Sequence, residues 1–330
     1  MKRSIIVLGT VILLLTASFS AQAATYQLAH QMAPSHPFQP SLELFVKEVA
    51  EKTNNRIQFN ILSSSVIGGE LEQASQMISG ALAGGIISAV IFENFDPIGC
   101  FEDLPYLYKD TAHARRAIDG DVGKLMQDDL IGPQGLKVLS WGEFGFRHFT
   151  NHKRPLRSPE DMHGIKFRSG PNPMRLLMFE AFGASAVPIA FPELFTALQQ
   201  GTVDGQESAL PVIDSSKLYE TQKYLSLTGH IFQSAGLMMN GALWKSFSSE
   251  DQTIMLEAAH KATVLQRELY DKLEETLLET LKKAGLEIIE VDKKLFADAC
   301  VKPVWEGYFM KKFGARGQKY IDAAAKYTNE

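Results

Sequence analysis

The chain has 330 residues, with 33 Lys and Arg against 38 Asp and Glu for a formal charge of -5, and 45% of its residues are hydrophobic. That is enough chain for two medium domains with separate cores, and the mildly acidic balance, without a basic stripe interleaved with aromatics, argues against a nucleic-acid partner. Cys100 and Cys300 stand 200 positions apart, too few and too distant for a disulfide framework, and are expected as two buried free thiols.

Lys2 and Arg3 head an apolar run from Ile5 to Leu15, and Ala21 and Ala23 then supply small residues at signal-peptidase spacing. Residues 1–23 therefore read as a signal peptide. The run is shorter than the roughly 20 apolar residues of a membrane span, although a retained N-terminal anchor is the alternative. No later stretch is long and apolar enough to cross a membrane, so the chain from Ala24 is expected in the periplasm. Removing Lys2 and Arg3, with no acid in the segment, takes the formal charge from -5 to -7.

Strand and helix then alternate. Tyr26 to His30 reads as a strand, and Leu42, Phe45, Val46 and Val49 recur at helical spacing behind Pro34, Pro37 and Pro40. Ile57, Phe59 and Ile61 alternate as a second strand, and Gly68-Gly69 turns the chain into a helix near Glu70. Ile86 to Phe92 is a continuous apolar run, as expected of a strand buried on both faces. This order predicts an α/β chain with a mainly parallel sheet and right-handed crossovers. After Lys137 the pattern restarts: Val138 to Trp141, His148 to Thr150 and Ile165 to Arg168 read as strands. A helix over 172–182 follows, then a strand to Pro188, a helix from Pro192 to Gln200, and a strand over Val203 to Glu207. Ser249 to Lys283 contains no proline or glycine, with Ile254, Ala258, Leu265, Leu269, Leu273 and Leu277 at helical intervals. Such a helix reaches ~50 Å, longer than one domain of this size is wide, and should run along both.

Two segments carry the chemistry. The first is Trp141-Gly142-Glu143-Phe144-Gly145-Phe146-Arg147-His148-Phe149-Thr150-Asn151. The second begins Gly164-Ile165-Lys166-Phe167-Arg168, passes Pro173-Met174, and runs from Gly183 through Pro188, Phe191-Pro192 and Leu198-Gln199 to Gly201-Thr202-Val203-Asp204-Gly205-Gln206-Glu207. With Gly68, Pro105-Tyr106 and the stretch from Tyr219 to Thr228, the chain from Ala24 onward resembles the solute-binding subunits of the TRAP (tripartite ATP-independent periplasmic) transporters. The sugar-acid branch, with its sialic-acid and diketogulonate binders, is the most similar.

The resemblance implies a two-lobed periplasmic binding protein of mixed, mainly parallel sheets, with a ligand cleft between the lobes. Residues 24–146 with about 235–275 form one lobe, and 147–234 with about 276–330 the other. It also implies small and large TRAP membrane subunits as partners, a small carboxylate as ligand, no cofactor and no catalysis. The protein is expected as a monomer. In the family, the arginine of the Gly-x-Lys-x-Arg stretch grips the ligand carboxylate, which here is Arg168, and Arg147 assists.

The residues point the same way. Arg168 ends a strand of apolar character, so its head should emerge at the carboxyl edge of a sheet, where open α/β folds bind ligands. Its planar fork matches a carboxylate. The alternative is a structural pair between Arg168 and an acid such as Glu207. For Arg147 the alternative is a solvated hinge arginine. Gln31 follows the first strand where sialic-acid binders place an amide, and Glu70 matches an acid that contacts ligand hydroxyls. The helix macrodipole alone also favours an acid at Glu70. Phe191 matches a pocket aromatic or is plain core. Ser208 stands where the family usually has asparagine, which leaves one polar contact open. Ser88 and Ile91 replace polar or charged residues of the sialic-acid binders, so sialic acid itself is not expected.

His30 and His36, six apart, lack the spacing and third ligand of a metal site, and His30 is a further cleft candidate. Gly84-Gly85 leads into a strand and not into a phosphate-binding helix. Met126, Met174, Met178, Met238 and Met239 read as core filling. A hydrolase or lyase would need a nucleophile or acid–base pair, and none stands out. A sensory module remains open. The ligand expected is a sugar acid such as a uronate or aldonate, with an aromatic or branched-chain acid or a glycerol phosphate as alternatives.

Overall fold

A computed structural model describes residues 24–328. The expected signal peptide lies outside the described residues. Ten strands form: β1 (Ala24–Ala29), β2 (Ile57–Leu62), β3 (Gly84–Ser88), β4 (Leu136–Asn151), β5 (Lys166–Ser169), β6 (Ser185–Pro188), β7 (Gly205–Ala209), β8 (Tyr224–Ser226), β9 (Phe232–Asn240) and β10 (Glu287–Ile289). Their order is β2-β1-β3-β9-β4-β7-β5-β6, with β8 beside β4 and β10 beside β8. The outer pairings β1–β2, β1–β3, β5–β6, β5–β7 and β8–β10 are parallel. The central pairings of β4 and β9 are antiparallel. This is the mixed α/β architecture expected, with helical crossovers joining the parallel strands.

The long strand β4 ties the two halves together. Leu136 to Phe146 pair with β9, whereas Arg147 to Asn151 pair with β7 and β8. The sequence reads as two short strands here because a bulge interrupts the alternation: the register slips between Glu143 and Gly145, and Gly145 has φ +87°. A glycine takes that conformation without strain, and one extra residue flips every later side chain to the other face. Strand β9, buried at all nine positions, has no alternation to mark it. β3 ends at Ser88, and the rest of the expected strand, residues 89–92, lies in the 3-10 helix Ala89–Asn94. A continuous apolar run reports burial but not extension. Gly84 and Gly85 lie within β3 because a Cβ there would stand 2.4 Å and 2.3 Å from the backbone oxygens of Met238 and Ala29.

The helix Ser249–Lys283 spans the expected residues. The Ser248 hydroxyl accepts from the Asp251 amide at 3.1 Å, and acids in the first turn and lysines in the last suit the macrodipole. Met255, Ala258, Ala259 and Ala262 pack with Leu28, Phe38 and Phe45, while Leu277 and Leu281 pack with Leu194, Leu198 and Ile213. One helix therefore serves two cores, as its length required. The five methionines are fully buried, and Cys100 and Cys300 are buried and unbridged. Burial pushes the Cys300 thiol up to about 12 and raises Cys100 as well, which makes both poor nucleophiles.

The last helix, Lys311–Ala325, docks on the segment from Asp96 to Asp129. Arg316 bridges Asp96 at 2.6 Å and Asp129 at 2.9 Å, the Tyr320 hydroxyl donates to Asp129 at 3.0 Å, and His113 meets the Ala324 carbonyl at 2.8 Å. Those partners all lie within residues 24–146.

Candidate functional site

Strand β5 shows how the sequence builds the site. Phe167 is buried against Phe149 and Phe179, with ring centroids 5.6 Å and 5.2 Å away. Burying a side chain of this size contributes ~1.5–3 kcal/mol and fixes the strand's face. Alternation then sends Arg168 to the opposite face, at the carboxyl end of the strand. Ser88 ends β3, Gln31 follows β1, Ser208 lies near the end of β7, and Glu70 opens the helix Glu70–Ser79 after β2. Carboxyl edges from both halves of the sheet thus face one cleft, which encloses about 780 Å³ including the solvent at its mouth.

Seven of the sequence candidates line this cleft: Gln31, Glu70, Ser88, Arg147, Arg168, Phe191 and Ser208. His30 does not. Its ring is fully buried behind the wall, edge-on to Phe38, and Nε2 lies 3.0 Å from the Gln39 side-chain oxygen. Burial lowers its pKa, so it sits there as a neutral core histidine.

The two predicted arginines differ sharply. Arg147 is engaged by the protein: Nε bonds Glu207, Nη1 bonds Gln233, and Nη2 donates to the Glu207 backbone oxygen at 2.6 Å and to its carboxylate at 2.9 Å. Four of five N–H groups are occupied. It is only 5% exposed, so it is no solvated hinge residue. Glu207 also takes Arg175 Nη1 at 3.0 Å, and Arg175 reaches Asp103 through Nε and Nη2. Burial pushes the Glu207 carboxyl up, but the two arginines more than offset it and hold it well below the usual carboxylate range.

Arg168 has a different environment. Its Nε donates to the Ile189 carbonyl at 2.8 Å, and its guanidinium lies 6.0 Å from the Phe191 ring centroid. Glu207, the structural acid proposed as its alternative partner, is taken by Arg147 and Arg175. Arg168 is 4% exposed, and burial lowers its pKa to about 9, with Arg147 and Arg175 adding repulsion and Glu207 opposing them. Nε is held by Ile189, and Nη1 and Nη2 have no hydrogen-bond partner among the described residues, while Arg168 lines the cleft. A carboxylate fits that fork through two parallel hydrogen bonds.

Across the cleft, Glu70 accepts from the Ser88 amide at 2.8 Å and the Ser88 hydroxyl at 2.7 Å. Burial raises its pKa, partly countered by these bonds. Each carboxylate oxygen keeps a lone pair for a hydroxyl donor. The Ser208 hydroxyl faces Gln206 at 2.6 Å and the Glu207 carbonyl at 2.7 Å. Its only proton is therefore used within the protein, and it can offer a ligand nothing but an acceptor.

A second buried acid gives a test of the electrostatics. Glu102 accepts from the Ser234 amide and hydroxyl through Oε2, while Oε1 has no partner, and burial pushes its pKa up to about 7 from 4.5. The unfolded chain ionises near 4.5 and the folded one near 7. The group therefore contributes no penalty below 4.5, destabilises progressively between 4.5 and 7, and destabilises fully above. At 1.36 kcal/mol per unit the full effect is about 3 kcal/mol. Glu102→Gln is expected to be close to neutral at pH 4.5 and to stabilise by about that amount at pH 8. Urea unfolding at both values checks this, and equal effects at the two values would contradict it.

Residues 28–312 match the family model of the bacterial extracellular solute-binding proteins, family 7, DctP. The chain belongs to this family. Among DctP relatives, the 2,3-diketo-L-gulonate-binding periplasmic protein YiaO of Escherichia coli K12 is 33% identical over 289 residues, 86% of each chain. A TRAP periplasmic solute-binding protein from Polaromonas sp. JS666, solved with D-erythronate, is 37% identical with a TM-score of 0.86, covering 91% of this chain and 98% of that one. Another from Sulfitobacter sp. NAS-14.1, solved with β-D-galacturonate, is 27% identical with a TM-score of 0.87, covering 93% and 100%. The two-lobed DctP fold is thus the fold of this chain.

Sequence reasoning missed Arg175, Asp103, Gln233 and Asn172 in the DctP cleft and its wall. Arg175 carried a usable signal: a cation in the first turn of a helix opposes the macrodipole, so it must have anionic partners elsewhere. Nothing marked Gln233. Among the described residues, no helix is long and apolar enough to span a membrane, and no three His, Cys, Asp or Glu are placed to hold a metal ion.

Proposed function

We propose that this protein is the periplasmic solute-binding subunit of a TRAP transporter, capturing an aldonate or uronate between its lobes and passing it unchanged to small and large membrane subunits. The observation that carries the reading is Arg168: a buried guanidinium whose Nε is anchored and which has no ion pair among the described residues, Glu207 being paired with Arg147 and Arg175. A single desolvated cation of this kind stabilises an anionic ligand more than it stabilises the fold. Relatives solved with an aldonate and a uronate support the ligand class. Glu70 supplies the hydroxyl acceptor that such acids require.

In this reading the protein works as a monomer without catalysis. The lobes comprise residues 24–146 with about 235–275 and the returning helix from Lys311, against 147–234 with about 276–310. Met32, Val90, Ile91, Phe144 and Val212 form an apolar share of the lining and favour, as a second reading, a branched hydroxy acid. A thermal-shift screen of the purified protein over aldonates, uronates and branched hydroxy acids tests both. A ligand at 100 times its Kd stabilises by ~2.7 kcal/mol, a rise of several degrees. A screen in which no organic acid raises the Tm would overturn the proposal.

A further inference from the structure

The charges around the cleft add up in a way that bears on which acids can enter. Three arginines line it, Arg147, Arg168 and Arg175, together with Glu70 and the exposed Glu72. Glu207 and Asp103 neutralise Arg147 and Arg175. Glu72 stands in water, which screens it. What remains inside is one positive fork, Arg168, and one negative group, Glu70. The oxygens of Glu70 are held by Ser88 alone, and Arg147 and Arg175 act on it only from a distance. Glu70 is 8% exposed, so little water is available to screen it.

A ligand with one carboxylate uses Arg168 and leaves Glu70 to accept hydroxyls. A ligand with a second carboxylate or a dianionic phosphate brings like charge toward Glu70 in a desolvated site, with every other arginine already paired. Like-charge juxtaposition of this kind suppresses the wrong partner more than it affects the right one.

We propose that Glu70 is a specificity-determining residue that admits singly charged hydroxy acids and rejects dicarboxylates and phosphates of the same size. The proposal rests on Arg168 holding the ligand carboxylate. It gives Ser88 a defined part as well: its amide and hydroxyl keep both Glu70 oxygens in place without neutralising them, which a lysine or arginine at that position would do.

The test uses acids that differ only at the far end: D-erythronate against meso-tartrate, and galactonate against galactarate. Each pair replaces a terminal CH2OH by a carboxylate. Calorimetry on the purified protein is expected to show the singly charged member of the preferred length binding on the order of 100-fold tighter than its diacid. Glu70→Gln keeps the shape and removes the charge, and should narrow that ratio at least tenfold, chiefly by strengthening the diacid. If acids bind but the wild type takes the diacid within about threefold of the monoacid, the proposal fails on the wild type alone, whether or not the variant folds. It fails equally if Glu70→Gln weakens both members alike and leaves the ratio unchanged. If no acid of either charge binds, the binding-protein reading itself is overturned, which is a different result from either of these.

Discussion

Arg168→Lys is expected to lose nearly as much affinity for a sugar acid as Arg168→Ala. The charge survives in the lysine variant, but the geometry does not. In the wild type Nε is occupied by the Ile189 carbonyl, 2.8 Å away, which leaves Nη1 and Nη2 as the two donors for a ligand. A lysine has one compact ammonium and cannot hold Ile189 and grip both carboxylate oxygens at once. Truncating one partner of a buried, hydrogen-bonded charge pair costs ~2–5 kcal/mol, and 1.4 kcal/mol is about tenfold. Arg168→Ala should therefore weaken binding by about 30-fold to several thousandfold. Without ligand, both variants should melt at or slightly above the wild-type temperature, because Arg168 has no structural carboxylate to lose. Calorimetry and unliganded melting curves read the two halves separately. Wild-type affinity in the lysine variant would place the carboxylate clamp elsewhere.

Glu207→Ala should have the opposite profile, with its main effect on the fold. Glu207 is fully buried and holds two arginines, Arg147 through two side-chain bonds and Arg175 at 3.0 Å, with His230 Nε2 3.4 Å away. His230 is stacked on Phe149 at 4.2 Å, and an imidazole carries no negative charge in either protonation state, so it cannot take the place of the carboxylate. Removing one member of a buried pair destabilises by ~3–5 kcal/mol. For a chain of this length that is a Tm decrease on the order of 10 °C. Arg147→Ala should destabilise by a similar route, contrary to what a solvated hinge arginine would do. Unfolding in urea measures both. A loss below about 1 kcal/mol for Glu207→Ala would mean that the network has no such structural role.

The contrast between these arginines shows where the sequence was legible. Apolar alternation at Ile165 and Phe167 placed Arg168 at a strand end, and a glycine pair followed by Glu70 placed an acid at a helix start. Both are local signals, and both held. The long helix was legible because nothing in its 35 residues breaks it. Pairing across the chain was not legible. Arg147 and Glu207 are 60 positions apart, and Arg175 and Asp103 are 72 apart, so no spacing rule could tell which arginine would be neutralised. The same limit hid β9, whose nine buried positions give no period, and split β4, whose bulge at Gly145 shifts the pattern by one residue. His30 is a cleft candidate in the sequence at the end of the expected first strand, and nothing local tells which way its ring turns. It lies just past β1 with its ring fully buried and Nε2 3.0 Å from the Gln39 side-chain oxygen.

The central claim is that one desolvated guanidinium recognises a ligand carboxylate, and it is tested most directly by removing the charge from the ligand and not from the protein. The acid that stabilises the protein most in the thermal screen should be titrated by calorimetry beside its primary carboxamide, which keeps the size and hydroxyls but has no anion. The acid is expected to bind at least ~100-fold tighter, since the amide cannot neutralise Arg168 and presents an N–H where the fork needs an acceptor. Equal affinities for acid and amide would contradict the account.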